Sequence, residues 1–253
     1  MGEYADVASE AVQRAGAYLG DRFAAGDLEA DFRAGDVKTR ADRQAERRVV
    51  ETIRAAFPEH AILAEESGEH PGRADRRWVV DALDGTNNFA AGLPTFGAAA
   101  TLLDDQGPLA TAVHVPVAGD LYVARRGEGV THDGDPVVAA DGPDPPPEHA
   151  TVGIVLGTPV LESESLHAEY ESLVADLEDV AKRVIPTWAP VVYWGLLARG
   201  RLGGVVSFYP DEREQAAGSL LAREADCSGY SDGPVAVFAR DDRTRDALRN
   251  AVS

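Results

Sequence analysis

The sequence is poor in cysteine and in lysine. Cys227 is the only cysteine in 253 residues, so one chain can form neither an internal disulfide nor a zinc site made of several cysteines, and we interpret it as a small buried side chain. Lysine occurs only at Lys38 and Lys182, and the formal net charge is −19. Because nucleic acids and anionic membranes bind basic surfaces, this composition argues against both as partners.

Long apolar runs are also missing. No apolar stretch approaches the roughly 18 residues that a membrane-spanning helix needs. The segment 1–6 lacks the basic and apolar parts of a secretion signal, so we expect a soluble cytoplasmic protein. Salt screens the repulsion between like charges, so the acidic composition suggests a halophilic source; an ordinary acidic mesophilic protein is the alternative.

Several catalytic signatures are absent as well. The chain has no Gly-x-Ser-x-Gly segment and no Walker-type phosphate loop, which disfavours serine hydrolases and nucleoside triphosphatases. The histidines show no His-x-x-x-His spacing, so we interpret each as a surface or core side chain. They are His60, His70, His114, His132, His149 and His167.

The segment 78–89 carries the strongest chemical signal that is present. The apolar run Trp78–Val80 predicts a buried strand, with Asp81 at its carboxyl end and Asp84 in the turn that follows. Two carboxylates this close repel each other unless a proton or a cation lies between them, and Mg²⁺ prefers oxygen ligands. Gly85 permits a close backbone approach and Thr86 adds a hydroxyl. A solvated Asp-Gly turn is the alternative interpretation.

A second acidic segment strengthens the metal interpretation. The run 61–64 predicts another short strand, and Glu65 and Glu66 follow it directly. Adjacent strands with acidic carboxyl ends direct their side chains into one crevice, where ligands of open sheets tend to bind. A helix beginning near Asn87 would add free backbone N–H groups for an anion. Together these features indicate metal-assisted phosphate chemistry.

With these segments in place, the sequence resembles the inositol monophosphatase family of Mg²⁺-dependent phosphatases, whose superfamily includes fructose-1,6-bisphosphatases and 3′-phosphoadenosine 5′-phosphate phosphatases. The family signature Asp-Pro-Leu-Asp-Gly-Thr, then Asn-Phe, is matched by residues 81–86 and 88–89, with Ala82 in place of the proline. An upstream family pattern is matched by Asp36, Thr39, Asp42 and Glu46. The segments 107–136, 198–202 and 216–225 also match, so the resemblance spans most of the chain.

Two departures from the family lie in the C-terminal half. The last family motif reads Trp-Asp-x-Ala-Ala-Gly, where the Asp is a metal ligand, whereas this chain has Arg213 and Glu214. Glu214 keeps the charge but is one methylene longer; Asp211 is the alternative ligand, and a solvated surface pair is the third possibility. A Gly-Ser/Thr-Ala segment that shapes the family's substrate pocket is replaced by residues 188–190, which puts the usual inositol phosphate pocket in doubt.

Periodicity and turn residues predict alternating helices and strands, a layered α/β or α+β architecture. The resemblance sharpens this to an α-β-α-β-α sandwich of the inositol monophosphatase and fructose-1,6-bisphosphatase type. The turn-rich segment 141–148 is the best boundary, between an N-terminal half (1–140) that carries the metal motifs and a C-terminal half (141–253) that shapes the substrate pocket. Helices are predicted over 4–23, 41–57, 164–181, 191–198, 215–225 and 243–252, and strands over 61–64, 78–80, 96–103, 109–117, 120–124, 151–156, 204–208 and 234–240.

The resemblance implies a site with two or three Mg²⁺ ions that hydrolyses a small phosphate monoester, such as an inositol phosphate, a sugar phosphate, a fructose 1,6-bisphosphate type of ester or a nucleotide. One metal would be held by Glu65, Asp81 and the Leu83 carbonyl, and a second by Asp81, Asp84 and Glu214. Metals sharing a carboxylate activate a water and stabilise the leaving oxygen. The implied catalytic residues are Asp42, Glu65 and Thr86, and the implied substrate-binding residues are Asp84, Gly85, Thr86 and Asn87.

Asp42 would orient the Thr86 hydroxyl, which would accept a hydrogen bond from the attacking water, and Thr39 would support the same loop. Without the resemblance, Asp42 is better interpreted as a helix N-cap. We expect a homodimer. The alternative function is a degenerate family member that binds phosphate or a partner without turnover.

Overall fold

The computed structural model describes residues 2–33 and 36–252. Within them the helices are α1 (Glu3–Ala24), α2 (Arg40–Ala56), α3 (Thr86–Ala90), α4 (Thr158–Glu162), α5 (Glu164–Val180), α6 (Pro190–Ala198), α7 (Glu212–Glu224) and α8 (Asp242–Ala251). The strands are β1 (Ala30–Arg33), β2 (Asp36–Thr39), β3 (Ala61–Ala64), β4 (Gly68–His70), β5 (Arg77–Asp84), β6 (Gly97–Asp104), β7 (Gly107–Val115), β8 (Asp120–Arg125), β9 (Gly129–His132), β10 (Asp135–Val137), β11 (Thr151–Leu156), β12 (Arg183–Thr187), β13 (Gly204–Phe208), β14 (Ser228–Asp232) and β15 (Val235–Ala239).

Two large sheets organise these elements. The first has the order β10-β9-β8-β7-β6-β5-β3-β4, in which β3 and β5 run parallel and the other neighbours antiparallel. The second has the order β12-β11-β13-β15-β14, with β11 parallel to both of its neighbours. The small hairpin β1–β2 precedes α2. The carboxyl ends of the parallel strands β3 and β5 therefore meet at one edge of the first sheet.

Alternating side chains bury both faces of each sheet. In β7, Ala112 packs toward α1 and α2, whereas Val113 packs toward α6 and α7. In the second sheet, Val205 faces α6 and α7 and its neighbour Val206 faces α5 and α8. Because successive residues of a strand point to opposite faces, this pattern requires an apolar helix layer on both sides of each sheet. The layers are thus α1/α2, sheet, α6/α7, sheet and α5/α8, which confirms the predicted α-β-α-β-α sandwich.

The predicted helices and central strands are confirmed, and the strands that the sequence did not predict lie mostly at sheet edges. Strands β4, β12 and β14 each end a sheet and are largely half-buried or exposed, so they lack the apolar alternation of a central strand. Cys227, interpreted as buried, is half-buried against the α6/α7 layer, and burial raises the pKa of its thiol to about 12.

The segment between the two sheets contains two short 3₁₀ turns, Ala139–Asp141 and Pro147–His149. All strands of the first sheet precede it and all strands of the second follow it. The division at 140/141 stays a prediction, since α6 and α7 from the C-terminal part pack against the first sheet. Over residues 2–33 and 36–252, none of the helices combines the length and the apolar character that crossing a bilayer requires.

Candidate active site

A β-bulge in β5 brings two of the predicted carboxylates together. Asp81 pairs with Ala99 and Asp84 with Gly97, so β5 contributes one more residue than β6 between these two pairs. Side chains three apart in a regular strand face opposite sides, and one extra residue restores a common side. The prediction that Asp84 lies in a turn is wrong: β5 continues through it. Carboxylate oxygens of Asp81, Asp84 and Glu214 all lie within 4.8 Å of one another.

Glu214 enters this cluster from the first turn of α7. Asp211, the alternative ligand, is the N-cap of that helix and accepts a hydrogen bond from the Arg213 backbone N–H (2.8 Å). Its two oxygens also accept from the Arg213 side chain, from Nε at 2.8 Å and from Nη2 at 3.0 Å. The interpretation of Arg213 and Glu214 as a solvated pair is wrong, because both are half-buried and line the crevice described below.

The charges of the cluster are strongly perturbed. Burial raises the pKa of Asp81 well above its ordinary value, and the charges of Glu65, Asp84 and Glu214 raise it further. Burial and the charge of Glu214 also raise the pKa of Asp84 well above its ordinary value. Burial, together with the charge of Asp211, raises the pKa of Glu214 to about 8. Such a group needs shared protons or a cation, and its all-oxygen donor set fits a hard divalent cation such as Mg²⁺.

Glu65 stands at the edge of the same cluster, in the turn after β3. Its pKa is raised by burial and by the charges of Glu66 and Asp42, while Arg213 opposes the shift. The turn is held by Glu46, whose carboxylate accepts hydrogen bonds from the backbone N–H groups of Glu66 (2.6 Å) and Ser67 (2.9 Å). Glu66 itself pairs with Lys38 at 2.6 Å. Glu46 thus fixes the turn that carries Glu65, through hydrogen bonds between segments that are distant in the sequence.

Thr86 and Asp42 are in direct contact although 44 residues separate them. The Thr86 hydroxyl donates to Asp42 Oδ1 at 2.8 Å and lies 3.1 Å from the Leu83 carbonyl oxygen. Asp42 Oδ2 accepts from the Thr39 backbone N–H at 2.5 Å. The N-cap of α2 is Thr39, in a capping box with Asp42 at the third helical position, so the interpretation of Asp42 as the N-cap is wrong. Burial raises the pKa of Asp42, and these hydrogen bonds partly offset the rise.

Helix α6 closes the site from the C-terminal half. The backbone N–H of Val191, in its first turn, donates to Asp84 Oδ2 at 2.6 Å. Gly85 has a left-handed φ of 92°, and a Cβ there would lie 2.9 Å from the Cβ of Ala189 and 3.2 Å from the Trp188 carbonyl oxygen. Position 85 therefore requires glycine for its conformation and for its space. The prediction of a helix near Asn87 is confirmed, since α3 begins at Thr86.

Nearly all the predicted site residues line one crevice of about 160 Å³. Asp42 lies behind its wall, where it contacts the site through Thr86. The predicted residues that line the crevice are Glu65, Asp81, Leu83, Asp84, Gly85, Thr86, Asn87 and Glu214. The side chain of Asp36, which the family pattern includes, lies outside the described part of the structure. Arg213 also lines the crevice, and no property of the sequence other than its place beside Glu214 indicated this.

A second acidic group is centred on Asp120, which is already paired with protein donors. Asp120 accepts hydrogen bonds from His132 Nε2 (2.9 Å), Arg199 Nη2 (3.0 Å) and the Tyr122 hydroxyl (3.1 Å). Asp133 lies 3.2 Å from the same His132 nitrogen. Since Arg199 supplies the positive charge here, the cluster around Asp81 is the better candidate metal centre.

A family model described as "Inositol monophosphatase family" matches residues 1–233 of this chain. The chain belongs to the inositol monophosphatase family. The fold agrees, because the structure of extragenic suppressor protein suhB from Bartonella henselae superposes with a TM-score of 0.89 at 22% identity and covers 100% of this chain and 99% of that chain. Family membership and the recognised resemblance are thus confirmed.

Two relatives by sequence carry different names. Nus factor SuhB from Salmonella typhimurium is 29% identical over 223 residues, which cover 87% of this chain and 81% of that protein. Histidinol-phosphatase from Chlorobaculum parvum is 35% identical over 132 residues, covering 52% of this chain and 51% of that protein. The family and the latter relative support the expectation that this chain is a phosphoric monoester hydrolase.

Proposed function

We propose that this protein hydrolyses a small phosphate monoester in a reaction that depends on Mg²⁺. The observation that carries the proposal is the meeting of Asp81, Asp84 and Glu214 within 4.8 Å, in the crevice that the Thr86 side chain also lines. A buried group of carboxylates is a costly arrangement for a structural site, because each charge loses hydration and repels the others. Phosphate chemistry gives such a group a use, since divalent cations bind both carboxylates and phosphate oxygens.

The residues divide between two cation positions that share one ligand. Glu65, Asp81 and the Leu83 carbonyl would hold one Mg²⁺, and Asp81, Asp84 and Glu214 would hold a second. When bound, Mg²⁺ lowers the pKa of a coordinated water and neutralises charge on the phosphate and the leaving oxygen. Asp84 has one oxygen engaged by Val191, which leaves the other for this purpose.

Thr86 and Asp42 would handle the proton of the attacking water. The Thr86 hydroxyl donates to Asp42, so its oxygen is left to accept a hydrogen bond from water. Because burial raises the pKa of Asp42, its carboxylate is a better proton acceptor than an exposed aspartate. The backbone N–H groups of Gly85 and Thr86, with Asp84 and Asn87 beside them, would bind and orient the phosphate ester.

A binding function without turnover is the second candidate. It is favoured by the departures at Ala82, 188–190 and Arg213, and by relatives whose name is Nus factor SuhB. The net charge of −19 argues against RNA as the partner. We also propose a homodimer, a cytoplasmic location and a halophilic source; the last rests on the same charge and predicts that activity rises with salt.

Release of inorganic phosphate from a panel of esters tests the function. The panel contains myo-inositol 1-phosphate, glycerol 2-phosphate, fructose 1,6-bisphosphate and adenosine 3′-monophosphate, each measured at low and high KCl. We expect release that requires Mg²⁺ and is abolished by EDTA. If no ester is hydrolysed at any salt concentration while Mg²⁺ still raises the Tm of the protein, the second candidate is the better one.

Replacement of Glu214 by Gln is expected to raise the Mg²⁺ concentration needed for half-maximal activity by about tenfold or more, which is at least the loss of metal affinity caused by replacing a residue that only supports ligands. The second cation position would lose one of its anionic ligands, and Asp211 cannot substitute for it while Arg213 occupies both Asp211 oxygens. A Mg²⁺ titration of phosphate release measures the shift. Asp211→Asn is the matched comparison, and the assignment fails if that variant shifts the titration while Glu214→Gln does not.

A further inference from the structure

The lining of the crevice combines two kinds of side chain. Besides the carboxylates, it includes the apolar side chains of Leu156, Leu161, Trp188 and Pro190. In the described part of the chain the strongly exposed large apolar side chains are Leu93, Val117, Leu161 and Trp188. Two of these four line this one crevice. Exposed apolar surface is unfavourable in water, and a concentration of it within a site indicates a ligand surface.

The backbone around Trp188 is well anchored beside the proposed phosphate site. Its neighbours Thr187 and Ala189 are both buried, and the Thr187 hydroxyl accepts a hydrogen bond from the Ala189 backbone N–H at 3.1 Å. The next contact along the chain is the bond from Val191 to Asp84. A residue between two buried and hydrogen-bonded neighbours is not part of a loose loop. Trp188 is nevertheless 46% exposed, although it lines the crevice.

The apolar side chains of this lining suit a flat ring better than a polyol. Hydroxyl groups that lose water need hydrogen-bond partners; Thr158 and Thr187 also line the crevice, but the indole face and the side chains of Leu156 and Leu161 offer none. An aromatic ring, by contrast, gains from offset or edge contacts with an indole face as well as from burial. We propose that Trp188, together with Leu161, forms a subsite for an aromatic ring on the alcohol portion of the substrate. The inference rests on the proposed phosphatase function and narrows its substrate to phosphate esters of ring-bearing alcohols.

A matched series of esters tests the subsite. In 2-phenylethyl phosphate and 2-cyclohexylethyl phosphate the ester oxygen carries the same two-carbon linker and a ring of similar size, but only the first ring is aromatic; myo-inositol 1-phosphate represents polyols. We expect a KM about tenfold lower for the phenyl ester than for the cyclohexyl ester, which is the scale of one good aromatic contact. Trp188→Leu should remove this difference in KM, and Trp188→Phe should keep most of it. Val117→Ala, at an exposed apolar residue outside the crevice, should behave as the parent.

Tryptophan fluorescence tests binding without turnover. The chain has three tryptophans, of which Trp78 and Trp194 are fully buried, so the emission change that is present in the parent and absent in Trp188→Phe reports Trp188. Titration with 3-phenylpropylphosphonate, which cannot be hydrolysed, should change the emission with saturation in the parent and not in Trp188→Phe. The same titration with n-propylphosphonate should leave the emission unchanged.

The outcomes separate the subsite from the phosphatase function. A saturating emission change in a protein that releases no phosphate would support the subsite and reject the phosphatase function. Phosphate release with equal KM values for the three esters and no emission change would reject the subsite and leave the function intact. A shift in emission that depends on protein concentration in the absence of ligand would show that a second copy of the chain covers Trp188. That result would also overturn the inference.

Discussion

Asp81→Asn is expected to abolish nearly all phosphate release. Asp81 is the carboxylate that both proposed cation positions share, so its loss weakens both at once. Replacing a residue that only supports metal ligands lowers metal affinity or activity roughly 10–100-fold, and we expect a larger loss of activity here. The measurement is kcat for phosphate release at increasing Mg²⁺. Near-normal activity of the variant at saturating Mg²⁺ would contradict the two-metal proposal.

Stability measurements separate this loss from misfolding. In EDTA the variant should have a higher Tm than the parent, because Asp81 lies buried beside the charges of Glu65, Asp84 and Glu214. Asp81 Oδ1 accepts a hydrogen bond from the Leu83 backbone N–H at 3.2 Å, and the side-chain oxygen of asparagine can accept the same bond. Addition of Mg²⁺ should then raise the Tm of the parent and leave that of the variant unchanged. Asp105→Asn, an exposed residue with the same change of charge, should respond to Mg²⁺ as the parent does.

Periodicity predicts the helices, the central strands and the acidic ends of two strands because those features are local, whereas the order of the layers and the full set of site residues follow from the family resemblance. The helical spacing of apolar residues between 4 and 23 indicates the buried face of a helix, and the apolar run before Asp81 indicates a buried strand. The motif around Asp84 and Thr86 is continuous in the chain. The strands that were not predicted, such as β12 and β14, form sheet edges, where exposed side chains remove the apolar signal.

The remaining features depend on partners that are distant in the chain. The bulge that aligns Asp81 with Asp84 is a property of the pairing between β5 and β6, and no turn residue marks it. The Glu46 carboxylate accepts a hydrogen bond from the Glu66 backbone N–H, and the Val191 backbone N–H donates one to Asp84. Both bonds join different elements, so a periodic pattern in the sequence does not show them. The position of Trp188 beside Gly85 likewise follows from the packing of α6 against the first sheet.

Thr86→Val is expected to reduce kcat by about 100-fold or more, which is the usual scale of general acid–base assistance. Valine has nearly the shape of threonine but cannot accept a hydrogen bond from water or donate one to Asp42. The Thr86 side chain is not among the proposed cation ligands, so the Mg²⁺ concentration for half-maximal activity should change little. Thr86→Ser, which keeps the hydroxyl, should recover most of the rate.

The contact between Thr86 and Asp42 makes a stricter test possible. If the two residues act as one unit, Asp42→Asn and Thr86→Val should each lower kcat strongly, and the double variant should be hardly slower than the worse of the two. Independent contributions would instead multiply the two losses. Because Asp42 also completes the capping box of α2, the unfolding free energy of each variant is measured in parallel, and kcat is compared only among variants that remain folded at the assay temperature. A collapse of Mg²⁺ affinity together with the rate in Thr86→Val would assign Thr86 to the metal site and contradict its proposed role toward the attacking water.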